Sequence, residues 1–247
     1  MPGIVRIPSY TGRKVWSPFG QGDLMAYREW RRSRALSRAT LAQEYYSSDP
    51  YFQDHFKSYA LNATQWLVSG GADVPLIVTS IAGSSGVARF SSTGSVSCLD
   101  FNNNNIVAIS QNPIFEIRAA ISNVATRLRM QMGLKNGNAG AEVTANYIMF
   151  QNNPAAAAVD WFAISNDGAT NSQDTTLLAD TSFHRFKFMC KSGGSVEFYI
   201  DDVLKVVSVA NVPTGTLQPH ISCFLTSGAP AANYLHVDYV AVWADAA

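Results

Sequence analysis

From about residue 60 to the C-terminus, apolar and polar residues alternate with a period of two in a series of short segments. The alternation is clearest in four of them: 115–121, 127–134, 185–190 and 195–200. Successive side chains of a β-strand point to opposite faces, so each segment is predicted to be a strand with one buried face. Turn-forming clusters such as 166–168 and 191–194 separate the strands, and no helical pattern lies between them. The pattern predicts an antiparallel β-sandwich.

The faces predicted to be buried carry large apolar side chains. Three strands illustrate this: Leu128, Met130, Met132 and Leu134; Phe186, Phe188 and Cys190; Val196, Phe198 and Ile200. The span of the pattern is long for a seven-stranded sandwich. We therefore expect a jelly roll of a dozen or more strands.

The first 50 residues follow a different pattern. Prolines and glycines punctuate residues 1–22, which predicts an extended arm without regular structure. Asp23 is suited to cap a helix over 23–48, and the Ser47-Ser48-Asp49-Pro50 segment ends it. The apolar positions of that helix do not form one stripe, so we expect it to pack on another surface. The predicted organisation is an arm (1–22), a helix (23–48) and a jelly-roll domain (52–247).

Charge divides the chain in the same place. The 247 residues carry 18 basic and 18 acidic side chains, and charged residues make up only 15% of the total. Residues 1–60 hold nine Lys/Arg and five Asp/Glu, a net charge of +4, which leaves −4 for residues 61–247. The composition excludes a disordered chain, because 47% of the residues are hydrophobic. This separation of charge suggests that the basic N-terminal segment attaches the protein to a partner.

The candidate attachment residues are basic and aromatic side chains of the arm and the helix. Arginine makes bidentate pairs with carboxylates, and aromatic residues anchor protein interfaces. Docking on an acidic protein surface is favoured over nucleic-acid binding, because the body of the chain is acidic. The predicted interface residues are Trp16, Tyr27, Arg28, Trp30, Arg31, Arg32, Arg34 and Arg38.

Targeting signals and cysteine usage point to synthesis in the cytosol. No run of about 20 apolar residues is present, so no membrane span is predicted. The N-terminus lacks the pattern of a secretory signal. Cys98, Cys190 and Cys223 are widely spaced, form no CxxC motif, and are predicted to be reduced, partly buried, structural thiols.

The C-terminal third carries a series of motifs in a recognisable order. A strand ends in the hairpin Phe198-Tyr199-Ile200-Asp201-Asp202, a Val212-Pro213 connection follows, and the chain closes with the strand 234–243. This order resembles the concanavalin A-like (laminin G-like) jelly roll over roughly residues 52–247. Asp202 stands where that family has a glycine, which leaves the type of turn open.

More narrowly, the chain resembles versions of this jelly roll that occur in tailed-bacteriophage virion proteins. The matching features are Asp54-His55-Phe56, Trp66 and the strand end Met132-Gly133-Leu134. The resemblance implies a capsid decoration protein in the virion, assembled in the host cytoplasm. Its partners would be the major capsid protein or sister copies, in a homo-oligomer such as a trimer, with no nucleic acid or membrane involved.

Candidate chemistry is sparse in the sequence. Glycosidases of the resembling family carry a pattern like ExDxxE on one strand, and no such stretch occurs here. Glu197 and Asp201 share a strand face but lie about 13 Å apart, beyond the roughly 5–9.5 Å that paired catalytic carboxylates need. His236 and Asp238 also share a strand face, but two ligands do not complete a metal site. We therefore predict no enzymatic activity, no cofactor and no metal.

The alternative hypothesis is a carbohydrate-binding or receptor-binding tail protein that uses a face of the sandwich. Exposed aromatic side chains would stack on sugars, with Trp161, Tyr199 and Tyr234 as candidates. Burial in the core is the competing fate of these rings, because a jelly roll buries most of its large side chains. A polysaccharide-cleaving enzyme is a third alternative, disfavoured by the missing carboxylate pattern.

Overall fold

The computed structural model describes residues 4–5, 15–16, 52–56, 60–69, 75–78, 86–91, 96–102, 104–122, 128–137, 145–152, 160–225 and 234–245. The chain divides into two compact units, Met1–Ser48 and Asp49–Ala247. In the first unit, strand β1 (Ile4–Val5) pairs antiparallel with β2 (Val15–Trp16). The prediction that residues 1–22 contain no regular element is therefore wrong, because two dipeptides suffice for a short ladder. The predicted helix over 23–48 lies outside the described residues.

The second unit contains sixteen strands among its described residues, and they form two antiparallel sheets. Sheet I has the order β13-β12-β11-β10-β17-β7-β4, and β8 pairs with a further part of β17. Its strands are β4 (Leu67–Ser69), β7 (Ser97–Asp100), β8 (Val107–Ala108), β10 (Leu128–Lys135), β11 (Tyr147–Asn152), β12 (Asp160–Asn166), β13 (Thr170–Leu178) and β17 (Thr216–Leu225).

Sheet II has the order β16-β15-β14-β9-β18-β6-β5, and β3 pairs with part of β18. Its strands are β3 (Phe52–Asp54), β5 (Leu76–Val78), β6 (Val87–Ser91), β9 (Ile114–Ile121), β14 (His184–Cys190), β15 (Val196–Ile200), β16 (Val203–Ser208) and β18 (Tyr234–Trp243). A short 3-10 helix spans Ile109–Gln111. No helix within the described parts of the chain is long and apolar enough to span a membrane.

The two sheets pack face to face around one hydrophobic core. Aromatic rings of both sheets meet there, with Phe150 of sheet I lying 5.2 Å from Phe186 and 5.3 Å from Phe198 of sheet II, between ring centroids. The large side chains predicted to face inward on β10, β14 and β15 are all buried in this core. The predicted jelly-roll sandwich is thereby confirmed, and the period-two segments match observed strands to within one residue at most ends.

Residues of the sequence motif around Asp54 secure one end of the core. Trp66 is 2% exposed, and its indole nitrogen donates a hydrogen bond to Asp54 Oδ2 at 2.7 Å. The other carboxylate oxygen of Asp54 accepts the backbone N–H of Phe56 at 2.8 Å. Phe56 is 1% exposed and packs beside Trp66. The motif therefore serves the packing of the sandwich.

The hairpin between β15 and β16 turns on two aspartates. Asp201 and Asp202 both adopt left-handed backbone conformations, with φ of 51° and 66°. Two central residues with positive φ characterise a type I′ turn, which matches the twist of the strands it joins. Asp201 offsets the cost by accepting the backbone N–H of Arg185 at 2.9 Å. An aspartate pair thus forms the turn for which the resembling family uses a glycine.

Candidate functional site

The residues predicted to attach the chain to a partner lie almost wholly outside the described residues. Tyr27, Trp30 and the five arginines between 28 and 38 belong to the part of the chain that is not described. Trp16 lies on β2, where only its backbone pairing with Ile4 is described. The attachment site stays a prediction.

The outer face of sheet II, directed away from the core, carries charged and aromatic side chains. Alternation places them there, because the residues between them, such as Ile117 and Phe186, belong to the core. We call this surface the charged face and define it by Glu116, Arg118, Arg185, Lys187, Glu197, Tyr199, Asp238 and Tyr239. All of these side chains are half-buried except Lys187, which is buried.

The centre of the charged face is held by contacts between neighbouring strands. Arg118 Nη1 of β9 lies 2.6 Å from Asp238 Oδ2 of β18. The hydroxyl of Tyr239 donates a short hydrogen bond to Glu116. A bulge in β18 after Val237 allows Asp238 and Tyr239 to reach the same face. Each of these two contacts therefore holds a pair of polar side chains in place.

The end of the charged face near β16 is built around Tyr199. The hydroxyl of Tyr199 donates to Glu197 Oε2 at 2.8 Å, and the Lys187 ammonium lies 5.1 Å from the centre of the tyrosine ring. Arg185 and Lys187 both pair with Asp202 of the turn, the latter at 3.5 Å. An aromatic ring is thus surrounded by hydrogen-bonding groups of both charges.

Burial shifts the protonation equilibria of two of these side chains. Burial lowers the pKa of Lys187 to about 8, although the charge of Glu116 opposes the shift. Burial, followed by the hydrogen bond to Glu197, raises the pKa of Tyr199 to about 12. At neutral pH Lys187 is therefore a buried cation beside Tyr199, and the tyrosine hydroxyl is protonated and donates.

The three aromatic residues proposed for sugar stacking have different fates. Trp161 is 2% exposed and packs 4.7 Å from Phe186 in the core, so its assignment as a stacking residue is wrong. Tyr199 lies on the charged face. Tyr234 is half-buried at the start of β18, where the guanidinium of Arg89 lies 4.7 Å from its ring centre.

The histidine–aspartate pair of β18 is engaged with other partners. Asp238 is paired with Arg118, and the ring of His236 lies 5.9 Å from that of Tyr234. Burial and the charge of Arg89 lower the pKa of His236 to about 4. Glu197 and Asp201 likewise have separate partners, Tyr199 for the first and His184 for the second.

A second polar constellation lies on the outer face of sheet I, across β7, β10 and β17. Cys98, Asp100, Lys135, His220 and Ser222 are all 0% exposed. The register of β17 and β7 places His220 opposite Asp100 and Ser222 opposite Cys98. We call these five residues the buried polar cluster.

Hydrogen bonds connect the buried polar cluster. His220 Nδ1 lies 2.7 Å from Asp100 Oδ1, and His220 Nε2 lies 3.0 Å from Ser222 Oγ. The Lys135 ammonium lies 2.9 Å from the same Asp100 oxygen. Cys98 Sγ lies 3.6 Å from Asp100 Oδ2 and 3.6 Å from His220 Nδ1.

The cluster holds one opposite-charge pair and a neutral imidazole. Burial lowers the pKa of His220, and its hydrogen bond to Asp100 opposes that shift without reversing it. Burial would raise the pKa of Asp100, but the hydrogen bond of His220 and the charge and hydrogen bond of Lys135 outweigh it, so that the pKa is lowered. Asp100 is therefore ionised at neutral pH.

The sequence contained no signal for this cluster. Cys98 and Asp100 are separated from His220 by about 120 residues, and histidines viewed along the chain are scattered. Cys190, by contrast, faces the core as predicted, where burial raises its pKa to about 12. None of the three cysteines forms a disulfide.

Comparison with known proteins identifies the fold. The sequence matches no protein-family model and no curated protein. The structure is similar to the globular domain of T. cruzi calreticulin, with a TM-score of 0.57, 12% identity, and coverage of 80% of this chain and 89% of that one. It is also similar to a beta-1,3-glucanase from Mycobacterium marinum, with a TM-score of 0.56, 14% identity, and coverage of 80% and 100%.

A third similar structure is an endo-β-galactosidase from Clostridium perfringens, with a TM-score of 0.56, 12% identity, and coverage of 79% of this chain and 62% of that one. These neighbours are jelly-roll sandwiches of the concanavalin A-like type, and at such identities they establish the fold. The predicted concanavalin A-like fold is therefore confirmed.

The same neighbours contradict the prediction that this chain is not an enzyme. Two of them are named as glycan-cleaving enzymes built on the same sandwich. The prediction rested on one carboxylate spacing along one strand. Side chains from neighbouring strands meet irrespective of such spacing, as Asp100 and His220 do, so a missing local motif does not exclude catalysis.

Proposed function

We propose that the sandwich domain binds a carbohydrate chain on the charged face of sheet II. The observation that carries the proposal is the half-exposed ring of Tyr199, set among charged groups that ion pairs already hold in place. A tyrosine ring offers an apolar surface to the C–H face of a sugar and a polar edge to its hydroxyls. Guanidinium and carboxylate groups beside it supply donors and acceptors for the remaining hydroxyls.

Two features support a neutral polysaccharide as the ligand class. The charged face mixes both signs, with Arg118 against Asp238 and Lys187 against Asp202, and therefore does not select an ion of one charge. The side chains are also fixed before binding, so little side-chain entropy is lost when a ligand arrives. The similarity to a beta-1,3-glucanase makes a soluble β-1,3-glucan the first ligand to test.

The test is a titration calorimetry measurement with the full-length protein and soluble β-1,3-glucan, after a glycan array has ranked other neutral glycans. Tyr199→Ala is expected to weaken binding about tenfold, equivalent to ~1.4 kcal/mol. Tyr199→Phe keeps the ring and is expected to retain most of the affinity. Phe162→Ala is the matched control, because Phe162 is a half-buried ring on sheet I.

Two results would overturn the proposal. One is a folded protein that binds no glycan on the array, and the other is full binding by Tyr199→Ala. Product analysis of the same mixtures measures cleavage. If the wild-type protein produces shortened glycans and the Glu197→Gln variant does not, the group responsible for cleavage lies on the charged face.

The capsid-decoration hypothesis concerns a different part of the chain. Its predicted attachment residues all lie within residues 1–48, so it is compatible with a sandwich that binds glycan. In that arrangement the N-terminal unit would attach the protein to a virion and the sandwich would contact sugars outside it. The two roles are separable by truncation.

A further inference from the structure

The buried polar cluster on sheet I places three ligand types of a zinc site in one small volume. A thiol sulfur, a carboxylate oxygen and an imidazole nitrogen from Cys98, Asp100 and His220 all lie within 4.8 Å of one another. Cys98 and Asp100 alternate on β7, and His220 is the cross-strand neighbour of Asp100 on β17. Strand pairing alone therefore holds the three side chains on one face of the sheet.

The two distances from the sulfur match the edges of a tetrahedral zinc site. Zinc–sulfur bonds of about 2.3 Å and zinc–nitrogen or zinc–oxygen bonds of about 2.0–2.2 Å, at the tetrahedral angle, separate the sulfur from each other ligand by about 3.6 Å. Cys98 Sγ lies 3.6 Å from His220 Nδ1 and 3.6 Å from Asp100 Oδ2. An ion can therefore enter with little rearrangement of the sulfur.

The surroundings supply second contacts to the ligands. Lys135 holds Asp100 Oδ1 at 2.9 Å, which leaves Oδ2 on the side of the sulfur. Ser222 lies 3.0 Å from His220 Nε2 and donates toward Gln131 Oε1 at 3.4 Å. A metal-bound histidine usually donates its other ring N–H in this way.

One nearby polar atom lacks a partner. Gln218, two residues before His220 on β17 and opposite Lys135, is 0% exposed. Its side-chain carbonyl oxygen has no hydrogen-bond partner among the described residues. Its amide nitrogen donates to the carbonyl oxygen of Gly137 at 2.6 Å, so Gln218 is not one of the ligand side chains.

We infer that Cys98, Asp100 and His220 form a binding site for a zinc-like divalent transition-metal ion. Binding replaces the thiol proton of Cys98, which leaves to solvent. In the bound state the imidazole carries its proton on Nε2, where it is donated to Ser222, and Nδ1 faces the ion. A thiolate, a carboxylate and a neutral imidazole then face the ion. This set of ligands favours zinc over calcium or magnesium.

A serine-nucleophile relay is the rival interpretation of the same residues. Asp100, His220 and Ser222 are linked in the order of such a relay. All three are 0% exposed, however, so a substrate does not reach Ser222 in this conformation. A single ion requires far less space, and the relay makes no use of Cys98.

Cobalt substitution tests the site in the full-length protein. After treatment with a chelator, titration with Co²⁺ is expected to produce a near-ultraviolet thiolate-to-cobalt absorption band that saturates at one ion per chain. Zn²⁺ is expected to remove the band by competition and to raise the melting temperature, since a ligand that binds only the folded state stabilises it.

Variants assign the band to its ligands. Cys98→Ser is expected to abolish it, while Cys190→Ser is the matched control and is expected to keep it. Ser222→Ala is expected to retain the band with about 10–100-fold weaker affinity, because it removes only the second contact of His220.

The inference is overturned if the folded wild-type protein gives no cobalt band, or if the band persists in Cys98→Ser. Should Cys98→Ser fail to fold, the wild-type spectrum and the zinc-dependent melting shift decide between the same two outcomes. Labelling of wild-type Ser222 by a fluorophosphonate, without any cobalt band, would favour the relay.

Discussion

At the scale of single residues, Gly133 shows how closely the strands of sheet I approach one another. A Cβ atom at this position would lie 2.1 Å from the carbonyl oxygen of Ile148 and 2.6 Å from the Cα of Met149. Both contacts are with backbone atoms of β11, which pairs with β10. The glycine of the Met132-Gly133-Leu134 motif is therefore required by the space between two strands.

We predict that Gly133→Ala lowers the free energy of unfolding by about 1–3 kcal/mol, the usual cost of overpacking. Urea denaturation measures the change. Gly193→Ala is the control, because a Cβ at Gly193 meets no atom within 4 Å, and its effect is expected to stay within about 0.5 kcal/mol. Equal unfolding midpoints for the two variants would contradict the explanation.

At the scale of elements, the β15–β16 hairpin is tied to β14 by His184. His184 Nδ1 lies 2.6 Å from Asp201 Oδ2 in the turn, and Nε2 lies 3.0 Å from Asp180 Oδ1. Burial acts to lower the pKa of His184, but the hydrogen bonds and charges of Asp201 and Asp180 outweigh it and raise the pKa above 6.5. The folded protein therefore favours the protonated histidine.

This linkage predicts a pH dependence of stability. The contribution of His184 is complete below pH 6.5, the pKa of the unfolded state, and is lost as the pH rises through the raised pKa of the folded state. Denaturant unfolding at a series of pH values should show this decline, and His184→Gln should flatten it. His236→Gln is the control for the part of the series above pH 6.5, because His236, with a pKa of about 4, is neutral there in the folded state and mostly neutral in the unfolded state.

Asp201→Asn separates the charge from the turn, because asparagine also tolerates the left-handed conformation. NMR titration should then find the pKa of His184 lower than in the wild-type protein. An unchanged pKa would show that Asp201 does not act on the histidine.

At the scale of the whole molecule, the chain consists of an N-terminal unit and a sandwich with its own core. The boundary falls between Ser48 and Asp49. All the core residues described above lie after this boundary. The charge of the chain also divides close to it, with a basic segment before residue 60 and an acidic body after it.

We predict that residues 49–247 fold by themselves into a cooperative β-sheet domain that no longer binds capsids. Circular dichroism and thermal unfolding check the folding, and co-sedimentation with phage capsids checks the attachment. The full-length protein with Arg31→Glu and Arg34→Glu tests whether charge carries the contact. Co-sedimentation of the fragment as complete as that of the whole chain would refute the decoration hypothesis.

Much of the fold was predictable because the signal is local. Alternation along a strand determines which side chains share a face, and the inward sets on β10, β14 and β15 followed from it. Whether a given aromatic side chain is buried or exposed was harder to predict from the sequence. Trp161 and Tyr199 are both aromatic strand residues, yet one is buried in the core and the other lies on the charged face.

The amino-acid sequence by itself determined the β-sandwich, its buried faces and the separation of a basic segment from an acidic body, since each is a property of neighbouring residues. Only the tertiary structure decided which distant residues meet. His220 reaches Cys98 and Asp100 because β17 pairs with β7, and Arg118 reaches Asp238 because β9 pairs with β18. Strand order and register arise from the packing of the whole sandwich. The charged face and the buried polar cluster are therefore visible only in the tertiary structure.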